Sequence, residues 1–342
     1  MTVYKKINHY YSRILQESAF HVGGKFGKPS EVILLLTNRC NARCVHCYSW
    51  KMPTTDDEMN YDQWRKTLDQ LRSWLGPIFL SMTGGETLVK KNGIRIAQHA
   101  CSLGFEVEFL TNGYILDSKK ACDLVQTGVS KIKLSLDGSK AEIHNRIRGR
   151  ENFFQRMVQA FENLVLAKDD LQLKPAIVAK TAIMSYNVHD LPNIVQLAYK
   201  LGIQGVEFQA VEPIYYSDQL DNPHWRDSNP LWVNDLDVLS SSINTLIELK
   251  KANYPISNSI ENLDLIKNYF SQPDELAYKI HSHQYKRKTR KCRAISGLQI
   301  MPNGDLKMCH WMDPFGNAIN DGILKSWKKR FPCWKHDCSY IK

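Results

Sequence analysis

Three cysteines that lie within eight residues offer the clearest chemistry in this sequence. Cys40, Cys44 and Cys47 form a C-x3-C-x2-C arrangement directly after a short apolar run. Thiolates are ligands for zinc and for iron–sulfur clusters, and four ligands usually complete such a site. Because no fourth cysteine lies nearby, a cubane cluster held by these three would keep one iron open for a substrate or cosubstrate. The alternative is a zinc site that includes His46, but its place between two of the cysteines makes tetrahedral closure awkward.

The composition is that of a globular protein from a reducing compartment. Of the 342 residues, 43% are hydrophobic and 23% are charged, and no run of 18 or more apolar residues predicts a membrane span. The N-terminus lacks the apolar segment of a secretory signal. Nine cysteines in uneven clusters are too few for a disulfide-dense scaffold. We therefore expect a cytoplasmic protein with metal-binding cysteines, and its net charge of +10 would suit an acidic partner.

The elements that must position the cysteine loop are alternating strands and helices. Short apolar runs bounded by turn residues alternate with longer stretches of helical periodicity. The predicted strands are Glu31–Thr37, Pro77–Thr83, Phe105–Thr111, Ser130–Leu136, Pro175–Ile183 and Gly205–Val211. The predicted helices between them are Tyr61–Leu75, Gly93–Leu103, Ser118–Gln126, Phe153–Ala167 and Leu191–Lys200. This alternation predicts a parallel sheet with right-handed connections, but the strands alone do not decide between an open sheet and a partial barrel.

Polar faces on the predicted strands favour a barrel. One face of the fourth strand carries Lys131, Lys133, Ser135 and Asp137, and one face of the third carries Glu106, Glu108 and Asn112. Glu207 and Gln209 share a face of the last strand and are candidates to line the lumen. A strand in an open doubly wound sheet should be apolar on both faces, whereas a polar face suits a wet lumen. The alternative is that these faces point to bulk solvent at an edge of the sheet.

Further short motifs mark the ends of the later strands. They are Gly84-Gly85-Glu86, Thr111-Asn112-Gly113, Ser135-Leu136-Asp137-Gly138 and an H-x3-R-G signature from His144 to Gly149. Taken in order with the cysteine motif, this series resembles the radical S-adenosylmethionine (SAM) superfamily. The resemblance implies an α/β fold with a partial (β/α)6 TIM-like barrel, in which ligands bind at the carboxyl ends of the parallel strands.

By this resemblance, the cysteine loop and the strand-end motifs hold the cofactors. Cys40, Cys44 and Cys47 would be the catalytic ligands of a [4Fe–4S] cluster whose open iron binds S-adenosylmethionine. The residues expected to contact SAM are Gly84, Gly85, Glu86, Asn112, Ser135, Asp137 and Arg148. The Glu86 carboxylate would meet the SAM amino group, and Arg148 would meet the SAM carboxylate. The residue after Glu86 is a threonine, where the family usually has proline.

The resemblance also implies a reaction. A reduced cluster passes one electron to the sulfonium of SAM, which yields methionine and a 5′-deoxyadenosyl radical, and this radical abstracts hydrogen from a substrate C–H bond. An electron donor such as flavodoxin or ferredoxin would supply the electron. The protein's part is to position the substrate bond and to exclude water.

Four more cysteines lie towards the C-terminus. Cys292 is followed after eleven residues by Gly304 and after four more by Cys309, and Cys333 and Cys338 come later. This pattern resembles the start of a SPASM or twitch domain, and four cysteines fit the shorter twitch form with one auxiliary [4Fe–4S] cluster. The spacing of the last two departs from the tighter pair that is usual there. A structural zinc site and a cluster with only three of these ligands therefore stay open.

These motifs divide the chain into four expected segments. The sequence predicts an N-terminal extension at 1–30, the radical SAM barrel at 31–215, a lid and linker helices at 216–291, and a twitch-type domain at 292–342. The last segment should contain a hairpin at Gly297–Met308, because turn-forming residues interrupt two short apolar runs there.

The preferred substrate is a ribosomally made precursor peptide that is modified by cross-linking or oxidation. The expected lid and the basic run Lys286–Arg293 favour a peptide. No complete peptide-recognition domain fits before Glu31, which favours the alternative, a small-molecule substrate. A third hypothesis is a non-enzymatic iron–sulfur carrier or sensor, which would not need the predicted SAM contacts. Nucleic acid is not favoured as a partner because stacking aromatic residues are not interleaved with the basic ones.

Overall fold

Strands and helices alternate along the chain as the sequence predicts. The computed structural model describes residues 27–29, 31–52, 57–212, 226–272, 297–309 and 312–330. The strands are β1 (Glu31–Leu35), β2 (Phe79–Thr83), β3 (Glu106–Thr111), β4 (Lys131–Ser135), β5 (Ala176–Ile183), β6 (Gly205–Ala210), β7 (Gly297–Ile300), β8 (Asp305–Lys307) and β9 (Gly316–Asn317). The helices are α1 (Tyr61–Leu75), α2 (Gly93–Ser102), α3 (Ser118–Gln126), α4 (Ala141–Arg148), α5 (Phe153–Asp170), α6 (Leu191–Lys200), α7 (Leu236–Lys251), α8 (Ile260–Ser271) and α9 (Ile323–Lys329). No helix in these described ranges has the length and apolar character needed to cross a membrane.

Helix α1 begins at a reciprocal cap that the sequence supplies. The Asn60 side chain accepts the Gln63 amide at 3.0 Å, and the Gln63 side chain accepts the Asn60 amide at 2.8 Å. Each bond satisfies an amide that the start of a helix leaves without an intrahelical partner. Trp64 and Leu68, one turn apart, are fully buried on the inner face. The helix is thus fixed at its start by the cap and along one side by apolar burial.

The described residues form two compact units, and the first contains β1. It comprises residues 27–29, 31–39, 57–108, 297–309 and 312–330. Its strands follow the order β2-β1-β7-β8-β9. Strand β1 pairs in parallel with β2 on one edge and with β7 on the other, where Glu31 lies opposite Gly297. Strands β7 and β8 form the predicted antiparallel hairpin, and its parallel pairing with β1 is a long-range contact that the local sequence does not encode.

The second unit contains the cysteine loop. It comprises residues 40–52, 109–212 and 226–272. Strands β4, β5 and β6 lie side by side and parallel, so that Ser135, Lys180 and Glu207 form a row across them. Lys133 Nζ lies 2.6 Å from Glu207 Oε2, whereas Val206, on the opposite face, is fully buried. The polar face that strand parity predicts is therefore present, and it carries an ion pair.

A buried carboxylate fixes the end of β1 in the first unit. Glu58 Oε1 accepts hydrogen bonds from the Thr37 hydroxyl at 2.7 Å and from the Asn38 amide at 2.9 Å. Glu58 Oε2 lies 2.9 Å from Lys90 Nζ, and the two side chains of this ion pair are 9% and 8% exposed. Burial favours the neutral acid, but these hydrogen bonds and the Lys90 charge hold the pKa of Glu58 below its ordinary value. The network therefore fixes the residues that lead directly into Cys40.

Replacing Glu58 by glutamine should destabilise the protein, because it leaves the Lys90 ammonium buried without a counter-charge. Removing one partner of a buried ion pair costs about 3 kcal/mol, and chemical denaturation at pH 7 should show a loss of that order. The native pKa of Glu58 lies below its unfolded value of about 4.3. The stability that this carboxylate contributes is thus present above that pH and is lost as the pH falls through the native pKa. E58Q should lack this acid-dependent loss.

Asp123→Asn is the matched control, because it breaks the exposed ion pair between Lys119 and Asp123. Its cost should stay below about 1 kcal/mol. The double variant E58Q/K90M removes both charges and should recover part of the stability that E58Q loses. If E58Q proved as mild as D123N, the Glu58 network could not be what fixes the end of β1.

Candidate metal centre at the cysteine loop

The three predicted ligands lie on one loop of the second unit. Cys44 is 6% exposed, and Cys40 and Cys47 are half-buried around it. The Cys47 amide donates to the Cys44 carbonyl at 3.2 Å, and the loop packs against the fully buried ring of Phe153. Within the described part of the chain, no three His, Cys, Asp or Glu side chains form a group that could hold a metal ion as they stand.

Nitrogen donors lie against two of the three sulfur atoms. Arg148 Nη1 donates to Cys44 Sγ at 3.5 Å, and the Ala42 amide donates to Cys40 Sγ at 3.4 Å. Asn112 Nδ2 lies 4.0 Å from Cys40 Sγ. Burial raises the pKa of the Cys44 thiol to about 11, against the opposing effect of the Arg148 charge. A metal would have to displace the proton of this thiol, because the thiolate is the form that ligates.

The C-terminal turn of α4 holds the loop by its backbone. The Arg43 amide donates to the Arg148 carbonyl, and the Val45 amide donates to the Ile147 carbonyl, both at 3.0 Å. The last carbonyls of a helix have no intrahelical partner. The loop amides therefore satisfy two of the carbonyls at the end of α4, and the same two hydrogen bonds hold the loop against the helix. Gly149 ends the turn at φ 66°, where an added Cβ would lie 2.3 Å from the Arg43 carbonyl oxygen. The turn can therefore approach the loop this closely only with glycine at this position.

A buried group of charged and ring side chains lies behind the loop. Asp137 is fully buried, forms an ion pair with Arg148, and accepts the Ala182 amide at 2.9 Å through Oδ1. The Asp137 amide donates to His144 Nδ1 at 3.2 Å. Burial lowers the pKa of His144 to about 3 and that of His46 to about 4. Both rings are therefore neutral at pH 7, and the Asp137–Arg148 pair carries the charge of this group.

Two further predicted residues lie in the same unit. Asn112 donates through Nδ2 to Asn41 Oδ1 at 2.8 Å and accepts the Tyr114 amide at 3.0 Å. It therefore links the end of β3 to the cysteine loop. Ser135 ends β4 and is half-buried.

The Gly84-Gly85-Glu86 motif follows β2 in the first unit and packs against the end of β1. The Gly85 amide donates to the Thr37 carbonyl at 2.7 Å, and the Glu86 amide donates to the Arg39 carbonyl at 2.9 Å. A Cβ on Gly85 would lie 2.4 Å from the Arg39 carbonyl oxygen. The motif thus fixes the residue that precedes Cys40. Glu86 is 2% exposed, and its carboxylate accepts the Leu88 amide at 2.9 Å.

The second cysteine group is only partly within the described residues. Cys309 is half-buried two residues after β8. Cys292, Cys333 and Cys338 lie outside the described ranges, so their predicted ligand role stays a prediction.

Sequence reasoning missed the buried ion pair that fixes the end of β1 in the first unit and, in the second unit, the backbone contacts that hold the cysteine loop. Glu58 and Lys90 are far apart in sequence and carry no motif. Gly149 is part of the H-x3-R-G signature, and glycine is common directly after the last turn of a helix, but neither signal predicts its contact with Arg43. Asn41 lies between two ligands and has no distinguishing spacing.

Replacing Gly149 by alanine should loosen the loop. The left-handed backbone alone costs an alanine about 1 kcal/mol, and the contact with the Arg43 carbonyl adds to that cost. Gly202 is the matched control, because it has a similar φ of 68° but nothing within 4 Å of an added Cβ. We expect G149A to lower the free energy of unfolding more than G202A, as measured by chemical denaturation. Equal losses would contradict a tight fit between the α4 turn and the loop.

Comparison with known proteins identifies the domain to which the loop belongs. The family model described as the radical SAM superfamily matches residues 34–169. PqqA peptide cyclase from Bradyrhizobium diazoefficiens is 25% identical over 198 residues, which are 58% of this chain and 50% of that protein. AdoMet-dependent heme synthase from Methanosarcina barkeri is 25% identical over 290 residues, which are 84% of this chain and 78% of that protein. This chain spans about half the length of the PqqA peptide cyclases that it matches.

A solved structure shares the fold. The crystal structure of Streptococcus suis SuiB bound to the precursor peptide SuiA matches with a TM-score of 0.64 at 13% identity, over 91% of this chain and 67% of that one. A likeness at this low identity concerns the fold alone. It confirms the predicted α/β class with a partial barrel. The family match, and not the shared fold, is what identifies residues 34–169 of this chain as a radical SAM domain.

Proposed function

We propose that this chain is a radical SAM enzyme that cleaves S-adenosylmethionine reductively and abstracts hydrogen from a substrate C–H bond. The observation that carries the proposal is the cysteine loop within the radical SAM domain. Three thiols lie on it at C-x3-C-x2-C spacing, and nitrogen donors contact two of their sulfur atoms. A non-enzymatic carrier would need the thiols but not the motifs that end β2, β3 and β4.

The residues of the loop fit a [4Fe–4S] cluster. Cys40, Cys44 and Cys47 would hold three of its irons, because thiolates are the ligands that such clusters take. Hydrogen bonds to ligand sulfurs suit the negative charge that they carry when metallated. Arg148 Nε and Asn41 Nδ2 are buried without a hydrogen-bond partner in the described ranges, so two more donors are available at the loop. When bound, the cluster and SAM supply a 5′-deoxyadenosyl radical.

The proposed SAM contacts have different surroundings. Asp137 and Arg148 are buried and paired with each other, which suits residues that hold the neighbouring parts of a binding site in place. Ser135 is half-buried at the end of β4, which suits direct contact with a ligand. Asn112 is held by Asn41, so its orientation is fixed before any ligand binds. Glu86 and its two preceding glycines fix the end of β1, and their contact with the SAM amino group remains part of the proposal.

An auxiliary cluster is the second part of the proposal. Cys292, Cys309, Cys333 and Cys338 would hold it in a twitch-type segment at 292–342. Cys309 follows the β7–β8 hairpin, and β7 pairs directly with β1. Cys309 would then connect a cluster to β1 through two ladders of hydrogen bonds, one between β8 and β7 and one between β7 and β1. Flavodoxin or ferredoxin would supply the electron.

A precursor peptide is the substrate class that we favour. A related protein is a PqqA peptide cyclase, and the fold is shared with SuiB, which was solved with its precursor peptide SuiA. A small molecule is the second candidate, because the heme synthase match covers 84% of this chain and 78% of that protein. Both substrate classes use the same cysteine loop, so the loop does not distinguish them.

Reductant-dependent cleavage of SAM should occur in the anaerobically reconstituted protein and should be absent from the Cys40→Ala/Cys44→Ala/Cys47→Ala variant. Ribosomal peptides carrying deuterium at single positions should transfer it to 5′-deoxyadenosine, which mass spectrometry detects. Deuterated iron porphyrins are the comparison set for the small-molecule alternative. Transfer from porphyrins and not from peptides would reverse the substrate preference, and no SAM cleavage at all would contradict the proposed enzyme.

Iron and acid-labile sulfide counts test the auxiliary cluster. A four-iron cluster at each site predicts about eight irons per wild-type chain and about four in the triple variant. A variant with Cys309→Ala alone is the reciprocal test, and its iron should fall while SAM cleavage by the cysteine loop persists in the absence of substrate. A triple variant with almost no iron would mean that the C-terminal cysteines hold zinc or no metal.

A further inference from the structure

Arg148 has a position that its motif does not explain. Its side chain is 9% exposed, and its guanidinium lies between the Asp137 carboxylate and Cys44 Sγ. Nη2 faces the carboxylate and Nη1 donates to the sulfur at 3.5 Å. A planar guanidinium can make both contacts at once because its donors point in fixed, divergent directions.

The surroundings of this side chain fix its orientation. The carboxylate partner is held by the Ala182 amide through Oδ1 at 2.9 Å. The Arg148 carbonyl accepts the Arg43 amide at 3.0 Å, so its backbone is fixed to the same loop that its side chain contacts. The guanidinium is therefore the positive charge that contacts Cys44 Sγ, and the Asp137 carboxylate is its opposing charge.

We propose that Arg148 is a positioning residue for the iron–sulfur cluster, and that it sets the cluster's reduction potential through its hydrogen bond to Cys44 Sγ, with Asp137 as the opposing charge. This inference rests on the proposed function, since it requires a cluster at the cysteine loop. It differs from the role that the motif implies for Arg148, namely contact with the SAM carboxylate.

The physical basis is the electrostatics of thiolate ligands. Reduction adds negative charge to a cluster, so a nearby donor or positive charge favours the reduced form and a nearby carboxylate disfavours it. Removing the Arg148 donor should therefore make reduction harder. Neutralising Asp137 removes the negative charge that offsets the guanidinium, so it should make reduction of the cluster easier. The two substitutions act in opposite directions, which a merely structural role would not produce.

The central test compares Arg148→Lys with Asp137→Asn. Lysine keeps the charge opposite Asp137 but lacks the planar fork that reaches both partners, so R148K isolates the contact with Cys44.

Reduction of the cluster is followed by electron paramagnetic resonance in a redox titration without SAM. The resonance of the cluster at the cysteine loop is identified as the signal that disappears in the Cys40→Ala/Cys44→Ala/Cys47→Ala variant. At a fixed potential, R148K should lower the ratio of reduced to oxidised cluster about tenfold, which for one electron corresponds to about 59 mV.

Asp137→Asn should shift the same ratio upwards. Arg146→Lys is the matched control, because Arg146 lies on the same helix, is exposed and stacks on the Tyr186 ring at 3.8 Å. R146K should leave the titration unchanged. A direct role at the SAM carboxylate would instead weaken SAM binding in R148K and leave the SAM-free potential unaltered, and that result would overturn the inference.

Fold and cluster content are measured alongside the potential. Loss of iron from R148K, with an unchanged free energy of unfolding for the metal-free protein, would support positioning of the ligand. Unfolding of R148K would overturn the inference in favour of a purely structural ion pair. Equal potentials in wild type, R148K and D137N would also overturn it, while SAM cleavage by the wild type would leave the proposed function intact. A wild type without any cluster at Cys40, Cys44 and Cys47 would contradict both.

Discussion

The buried ion pair between Asp137 and Arg148 is the interaction on which the cysteine loop depends. Neither charge could remain buried without the other, because an uncompensated ion in a protein interior costs several kcal/mol. The pair joins the end of β4 to the last turn of α4, and the backbone of that turn accepts two amides of the loop. The fold thus uses one electrostatic constraint to place both a strand end and a helix end at the ligands.

The end of β1 is fixed by contacts within the first unit. Glu58 accepts hydrogen bonds from the Thr37 hydroxyl and the Asn38 amide and forms an ion pair with Lys90. The backbone of the glycine motif after β2 packs against the backbone of Thr37 and Asn38. These contacts are made by backbone and by buried polar groups, so apolar packing alone does not determine the position of the residues that end β1. A site of this kind tolerates little change in side-chain size, because its glycines already lie at the limit of close approach.

The sequence predicts well the features that repeat locally. Apolar runs and helical periodicity yield the strands from β1 to β6. The motifs that begin at Gly84, Thr111 and Ser135 lie at strand ends as expected, whereas the H-x3-R-G signature lies at the end of helix α4. Helix α4 is not among the predicted helices, because a segment of only eight residues has too short an amphipathic pattern to indicate a helix. The pairing of β7 with β1 joins residues more than two hundred positions apart, and the Glu58–Lys90 pair has no motif. Parity correctly predicts a polar strand face, but it cannot tell that Asp137 is fully enclosed, because enclosure depends on Arg148.

The burial of Cys44 affects how its thiol reacts in the metal-free protein. A thiol that stays protonated is a poor nucleophile and reacts slowly with oxidants and alkylating agents. The central ligand of the loop is therefore chemically quiet until iron displaces its proton, while its two neighbours lie nearer to solvent. Oxidative ageing of the apoprotein should begin at the flanking cysteines, and the ligand contacted by Arg148 should be the last to lose its capacity for metallation.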